Sequence, residues 1–235
     1  MARVLAVIAD PVEARLLSNH VESAGHAFTA VLTGQEGYAS AKQAPPDLIF
    51  LDWAITDIPC SEVLRALTTM PDTRSIPVIC LSHKTEEIDR IVGFELGASD
   101  YVTRPYSVRE LLLRAQAILR RSRPEPQSSS LIDLGRLRID KAAYRVWLDG
   151  EELDLTLLEL NLLVALYEGR NRVQTRAALL SRVWGMASNV TTRTVDTHVK
   201  RLRDKLGPLG GIIETVRGTG YRLANIGSVT RASHN

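Results

Sequence analysis

The sequence is short of cysteine, of aromatic side chains and of long apolar runs. Only Cys60 and Cys80 are present, without other ligand-type residues at a metal-binding spacing, so neither a disulfide framework nor a zinc site is expected. No window approaches the roughly 18 apolar residues of a membrane span, and the N-terminus lacks the apolar core and cleavage site of a signal peptide. We therefore expect a cytoplasmic protein without contact to a membrane.

Composition and length indicate two folded domains. Of the 235 residues, 45% are hydrophobic and 24% are charged, which is typical of a globular protein. At about 150 residues per domain, two small domains are the better expectation. The segment RSRPEPQSSS, at 121–130, has two prolines, four serines and almost nothing to bury, as in an exposed linker. We predict domains at 1–121 and 131–224, a linker at 122–130 and a polar tail at 225–235.

The net charge differs between the two halves of the chain. Residues 1–122 carry 12 basic and 15 acidic groups, whereas residues 123–235 carry 17 basic and 12 acidic groups. Between Arg170 and Arg222 there are 11 basic groups and only 3 acidic ones. This asymmetry indicates a mildly acidic module joined to a module that binds a polyanion such as nucleic acid.

The first half alternates between short apolar runs and amphipathic stretches. The apolar runs are VLAVIA, DLIFLDW, PVICLS and DYVT, with a weaker strand at 27–31. This alternation predicts an α/β unit, in which helices cover both faces of a parallel sheet. In such sheets the functional crevice lies at the carboxyl ends of the strands.

The second half follows a different pattern, that of an α+β winged helix-turn-helix. Short strands precede three helical stretches, the first of which opens at Thr156 with Glu159 in a capping-box pattern. In the final segment, GIIETVRGTGYRL, Gly218 and Gly220 flank a tight turn between two strand-like runs.

The third helical stretch, TRTVDTHVKRLRDKL, is amphipathic and basic. Its core face contains Val195, Val199, Leu202 and Leu206. At about 100° per residue, the opposite side holds Thr197, Arg201 and Asp204, flanked by Arg193, Thr194, Lys200 and Lys205. Such a surface suits a recognition helix in the major groove, although a merely solvated helix face is the alternative. Arg217, in the glycine-containing turn, would let a wing reach the minor groove.

These motifs carry a specific resemblance. RTVDTHVKRLRDKL followed by ETVRGTGYRL resembles the DNA-binding domain of OmpR/PhoB-type response regulators, and the first half resembles their receiver domain. The resemblance runs from Val4 to Leu223. It implies a flavodoxin-like, doubly wound receiver sheet with strand order 2-1-3-4-5, a winged helix-turn-helix, and a transcription regulator of a two-component system rather than an enzyme.

The resemblance also implies which residues contact DNA. The positions that match family DNA contacts or flank them are Arg193, Thr194, Thr197, His198, Lys200, Arg201, Arg203, Arg217, Thr219 and Tyr221. We expect Arg201 to contact a base, whereas Arg193 and Lys200 hold phosphates.

In the receiver, Asp52 matches the aspartate that accepts the phosphoryl group, but its surroundings depart from the family pattern. Ile8 and Ala9 replace the acidic pair that holds Mg²⁺, and Asp10 stands one position later. Because Mg²⁺ requires several oxygen ligands, Asp10 and Asp52 would form a poor site, and we expect no cofactor. Arg104 replaces the family lysine, and we expect its guanidinium to pair with Asp52 and fix the switch in one state.

Other receiver features match the family. Ser82 and Tyr101 stand at the positions that couple phosphorylation to the output face. Family receivers form homodimers through charged pairs, which the pairs Arg90 with Glu110 and Asp100 with Arg114 match. The expected partners are double-stranded DNA, a second copy of the chain and RNA polymerase, while a histidine kinase remains open.

Four interpretations follow. The first is a DNA-binding regulator whose receiver works with weak or no phosphorylation, as a dimerisation or signal-input module. The second is ordinary control by a kinase, with Asp10 substituting for the missing pair. The third is a small-molecule sensor, because Ile8 and Ala9 make the crevice more apolar. The fourth, a winged helix that binds protein, is disfavoured by the concentrated basic charge.

Overall fold

The computed structural model describes residues 1–122, 131–185 and 192–224. The chain divides into two compact units, Met1–Arg123 and Pro124–Asn235. The division falls inside the predicted linker. Most of that linker and the predicted tail at 225–235 lie outside the described residues, so both assignments stay predictions. No helix in the described ranges has the length and apolar composition needed to cross a membrane.

The N-terminal unit contains a five-stranded parallel sheet with the predicted order β2-β1-β3-β4-β5. The strands are β1 (Arg3–Val7), β2 (Ala27–Val31), β3 (Leu48–Asp52), β4 (Val78–Ser82) and β5 (Asp100–Thr103). All residues of β3 and β4 are buried, whereas the edge strand β2 is partly exposed, which explains its weaker apolar pattern. Asp52, Ser82 and Thr103 end neighbouring strands and lie at one edge of the sheet.

Four helices connect these strands, and a fifth follows the last strand. They are α1 (Pro11–Ser23), α2 (Gly34–Gln43), α3 (Cys60–Thr69), α4 (Glu87–Glu95) and α5 (Val108–Ser122). One core cluster packs apolar residues of β1, β3 and β4, such as Phe50, against α1 and α5. Burial raises the pKa of the Cys60 thiol to about 12 and that of the fully buried Cys80 well above its ordinary value. Both thiols are therefore inert near neutral pH.

In its described residues, the C-terminal unit combines two small antiparallel sheets with three α-helices and a short 3-10 helix at Gly207–Ile212. The first sheet contains β6 (Leu131–Asp133), β7 (Leu137–Asp140), β8 (Arg145–Leu148) and β9 (Glu151–Leu153). The helices are α6 (Leu157–Glu168), α7 (Arg176–Val183) and α8 (Thr192–Leu206). The second sheet contains β10 (Gln174–Thr175), β11 (Ile213–Val216) and β12 (Gly220–Leu223).

The capping box at the start of α6 is confirmed. Glu159 accepts the Thr156 amide at 2.8 Å, and the Thr156 hydroxyl accepts the Glu159 amide at 3.4 Å. The Glu159 side chain is buried and also accepts the Lys205 ammonium at 2.7 Å, which ties α6 to α8. A residue expected only to cap a helix therefore also anchors the predicted recognition helix.

The hairpin of β11 and β12 forms the predicted wing. Gly218, at its turn, has φ +75°, a conformation that L side chains rarely adopt. Gly220 lies so close to β10 that a Cβ atom there would approach the Gln174 carbonyl oxygen to 2.0 Å. The wing is thus held against β10, the strand that precedes α7.

Candidate functional site

The first candidate site lies at the carboxyl edge of the N-terminal sheet, around Asp52. Asp52 is 3% exposed. One carboxylate oxygen accepts the Ala54 amide at 3.0 Å, and the other lies 3.4 Å from the Ala9 amide. Two backbone amides thus fix the position of the carboxylate.

The Arg104 guanidinium fills the space beside Asp52. Its NH1 group donates to Asp52 at 3.0 Å, and its Nε and NH2 groups donate to Glu13 at 3.0 and 2.7 Å. The Arg104 side chain is 8% exposed. Burial alone would lower the pKa of Arg104, but the hydrogen bonds to Glu13 and the charge of Asp52 outweigh it, so the pKa lies above its ordinary value. The predicted Arg104–Asp52 pair is therefore present.

Glu13 is the residue of this site that sequence reasoning missed. It lies in the first turn of α1, three residues after the helix-capping Asp10, which resembles a capping-box spacing. Its carboxylate instead accepts Arg104 and the Tyr106 hydroxyl. Burial, with the bond to Glu13, raises the pKa of Tyr106, so the hydroxyl stays protonated and donates. An acidic residue on α1 thus faces a cation on the β5–α5 loop.

The residues around Asp52 do not fit Mg²⁺. The Asp10 side chain is exposed and accepts the Val12 amide at 2.8 Å, so it caps α1. Ile8 is fully buried and carries no oxygen ligand. Across the described ranges, no three acidic, histidine or cysteine side chains come together as a metal site. The Asp52 carboxylate already binds the Arg104 guanidinium, which a metal ion would have to displace.

Ser82 and Tyr101, the predicted switch residues, are both buried. Burial raises the pKa of Tyr101, and a hydrogen bond from Ser82 opposes that shift. The Tyr101 ring packs edge-to-face on Trp53, with 5.9 Å between centroids. A Cβ atom on Gly93 would lie 2.8 Å from the Tyr101 ring, so α4 closes over it. A packed aromatic pair thus joins the residue after Asp52 to β5.

The predicted dimer residues lie on α4, β5 and α5, where Arg114 pairs within the chain. Its guanidinium donates to Asp100 at 3.1 Å and to Glu110 at 2.8 Å. Arg90 is half-buried. The structure therefore brings three of the four residues together inside one chain.

The second candidate site is the basic surface of α8 and the wing. Arg193 and Lys200 are exposed, while Thr197 and Arg201 are half-buried. On the wing turn, Arg217 and Thr219 are exposed. Six of the predicted DNA-binding residues therefore lie where a duplex can reach them, on one helix and one hairpin.

Two predicted contacts on α8 point into the core instead. Thr194 is 2% exposed and His198 is 1% exposed. The His198 ring packs edge-to-face on Trp184, 5.1 Å between centroids, and its Nδ1 lies 3.0 Å from the Thr194 carbonyl oxygen. The helical projection placed Thr194 beside the exposed face, but the buried stripe of α8 is wide enough to include both residues. Both side chains pack inside the C-terminal unit, which does not favour the DNA contacts predicted for them.

Arg203 and Tyr221 also serve the internal architecture. Arg203 Nε donates to the Ile213 carbonyl at 3.0 Å, and its NH2 donates to the Thr215 hydroxyl at 2.8 Å. Tyr221 is 4% exposed, and its hydroxyl donates to Asp196 at 2.6 Å. Both residues bind the wing to α8 and thus position the DNA-contacting groups indirectly.

Comparisons with known proteins agree with this geometry. The family model "Response regulator receiver domain" matches residues 4–116, and "Transcriptional regulatory protein, C terminal" matches residues 150–223. The phosphate regulon transcriptional regulatory protein PhoB of Pseudomonas aeruginosa is 40% identical over 205 residues, which cover 87% of this chain and 89% of PhoB. The chain belongs to the OmpR/PhoB-type response regulators. It is thus a DNA-binding transcription regulator with a receiver and a winged-helix domain.

Other relatives of this response regulator cover nearly its whole length. ArlR of Staphylococcus aureus is 36% identical over 223 residues, 94% of this chain and 99% of ArlR. The solved structure of a RitR mutant superposes with a TM-score of 0.78 at 28% identity and covers 96% of this chain and all of that one. Both domains therefore occur in the same order in full-length relatives.

The packing role of His198 leads to a first prediction. His198→Ala should lower the free energy of unfolding by about 2–5 kcal/mol, because it removes a buried ring from its contact with Trp184. Chemical denaturation followed by Trp184 fluorescence, in a background with Trp53→Phe and Trp147→Phe, measures this. The salt dependence of DNA binding by the folded fraction should not change, whereas a shallower dependence would show that His198 contacts phosphate.

Proposed function

We propose that this response regulator acts without phosphorylation of Asp52, and that its receiver serves as a standing dimerisation and signal-input module. One observation carries the proposal: the Arg104 guanidinium pairs with Asp52 at 3.0 Å and is anchored by Glu13 at 2.7 Å in a site that is nearly closed to solvent. Phosphoryl transfer requires the nucleophile to be available and the charge of the donor to be neutralised. This pocket provides neither.

The charges in the pocket oppose an anionic donor. Asp52 and Glu13 together carry two negative charges against the single positive charge of Arg104, because Tyr106 stays protonated. An incoming phosphoryl group would have to displace Arg104 from Asp52 and would then leave a buried guanidinium with one partner fewer. Breaking a buried ion pair is costly, since one charge is left uncompensated.

The same contacts weigh against a small-molecule sensor. A ligand in the crevice would need unpaired polar groups to orient it. The polar side chains at this edge already bind one another: Arg104 binds Asp52 and Glu13, and Ser82 accepts the Lys84 amide at 3.0 Å. The second and third interpretations therefore have less support than the first.

Treatment of the full-length protein with acetyl phosphate and Mg²⁺ tests the proposal. Intact mass should show no acyl phosphate on the wild type. The matched control is the triple variant Ile8→Glu, Ala9→Asp, Arg104→Lys, which restores the family pattern and should gain the adduct. If circular dichroism shows that the triple variant is unfolded, Ala9→Asp with Arg104→Lys replaces it. A stoichiometric adduct on wild-type Asp52 would contradict the proposal and favour a histidine kinase as partner.

We propose that the receiver forms a homodimer through α4, β5 and α5. Ile88 on α4 and Leu113 on α5 are each 58% exposed, and both stand beside the predicted charged residues. Apolar exposure with a charged rim is typical of an interaction surface. In a two-fold dimer each charged pair occurs twice, so it specifies the orientation of the copies. RNA polymerase, as a further partner, stays a prediction from the family.

A charge swap tests the dimer. Arg90→Glu should place a glutamate opposite Glu110 of the second copy, and the two-fold axis repeats this repulsive contact. We expect association to weaken by about 1–2 kcal/mol, roughly 5–30-fold. Adding Glu110→Arg should restore much of the loss. Sedimentation equilibrium of the full chain in low salt measures both. A wild type that stays monomeric at high concentration, or a double variant no better than Arg90→Glu, would contradict this interface.

We propose that Arg201 reads a base while Arg193 and Lys200 hold phosphates. Arg201→Ala should relax the preference at one base pair by about 1–3 kcal/mol in a selection from randomised duplexes. Lys200→Ala is the matched control on the same helix. It should weaken binding to all duplex sequences by the same factor. A uniform loss of affinity in Arg201→Ala would refute the role of base contact.

A further inference from the structure

An acidic residue lies among the cations of the DNA-binding surface. Asp196 follows Arg193 by three residues and precedes Lys200 by four, so the three side chains share one strip of α8. The Asp196 side chain is 43% exposed. A carboxylate on this strip repels a phosphate backbone and therefore opposes DNA binding.

The Asp196 carboxylate joins three elements. Its Oδ1 accepts Arg176 Nε at 2.7 Å, from the start of α7, and the Tyr221 hydroxyl at 2.6 Å, from β12. The Arg176 guanidinium lies over the Tyr221 ring, 5.0 Å from its centroid. Arg203 lies 5.7 Å from the same ring centroid. Asp196 thus holds the wing strand and the Arg176 side chain against α8.

The pair is charged but not deeply buried. The Arg176 side chain is 25% exposed, which leaves its guanidinium accessible at the rim of the surface. While Asp196 binds it, the two groups have no net charge and add little to the attraction of a polyanion. Without the carboxylate, the same guanidinium would be an additional cation beside α8 and the wing.

We propose that Asp196 is a positioning residue that withholds Arg176 from the phosphate backbone and fixes the wing against α8. Asp196 thereby lowers the sequence-independent, charge-driven affinity for any duplex. The affinity for DNA then depends more on the side chains that contact bases. The proposal rests on α8 and the wing forming the DNA surface.

Asp196→Asn tests it, because the amide oxygen still accepts the Tyr221 hydroxyl while the charge that holds Arg176 is gone. Each phosphate contact contributes about 0.9 to the slope of log K against log salt. The variant should bind a mixed-sequence duplex more tightly than the wild type, with a slope steeper by up to about 0.9. Its advantage should then fall by up to about 3.5-fold between about 50 and about 200 mM salt. Fluorescence anisotropy with the full-length protein measures both slopes.

Two matched variants isolate the cause. Adding Arg176→Gln to Asp196→Asn should return the slope to the wild-type value, because the released cation is removed. Asp149→Asn makes the same charge change in an exposed pair with Arg136, 2.6 Å, on the other sheet of the unit. Because salt screens charges beyond about 8–10 Å, this change should leave the slope unaltered.

Lys200→Gln separates the proposal from its premise. If Lys200→Gln makes the slope shallower and Asp196→Asn leaves it unchanged, α8 contacts DNA but Asp196 is only structural, which overturns the proposal. A slope in Asp196→Asn that merely equals that of Asp149→Asn overturns it as well. If neither Lys200→Gln nor Asp196→Asn moves the slope, the DNA surface lies elsewhere and the proposal falls with it.

Discussion

The contact of Arg104 with Asp52 and Glu13 determines the arrangement of the receiver pocket. It joins the end of β3, the first turn of α1 and the loop after β5 at the edge where the parallel strands end. A guanidinium suits this position because its planar fork can serve two carboxylates at once, which an ammonium does less well. Because Arg104 binds both carboxylates, the pocket is more typical of a structural ion pair than of a site that accepts a phosphoryl donor.

In the C-terminal domain some basic side chains face solvent, whereas others bind acceptors within the domain. Arg193, Lys200 and Arg217 face solvent, whereas Arg203 binds the backbone of β11 and Lys205 binds the buried Glu159. The total positive charge of this half therefore overstates the number of phosphates it can contact. The internal cations supply rigidity, since they fix the wing and α6 relative to α8. Because this arrangement is fixed before binding, less conformational entropy is lost when the DNA-contacting side chains bind.

The sequence was sufficient for the parallel sheet, the α6 capping box and all of α8, because each depends on local periodicity or on caps. It was insufficient for β9 and β10, which are too short to show a period. Thr194 was placed wrongly beside the exposed face, because no pattern reveals how wide a buried stripe is. The DNA contact of the buried His198 stays a prediction. Glu13 was missed because its partner Arg104 is 91 residues away, and such pairing is set by the tertiary fold alone.

Titration of Mg²⁺ into the full-length protein tests whether Arg104 occupies the pocket in place of a metal ion and a phosphoryl group. Trp53, next to Asp52, reports on the pocket when Trp147 and Trp184 are replaced by Phe. We predict no saturable change in Trp53 fluorescence, while the same protein with Ile8→Glu, Ala9→Asp and Arg104→Lys responds. A saturable response of the wild-type pocket would show instead that Mg²⁺ displaces Arg104 from Asp52.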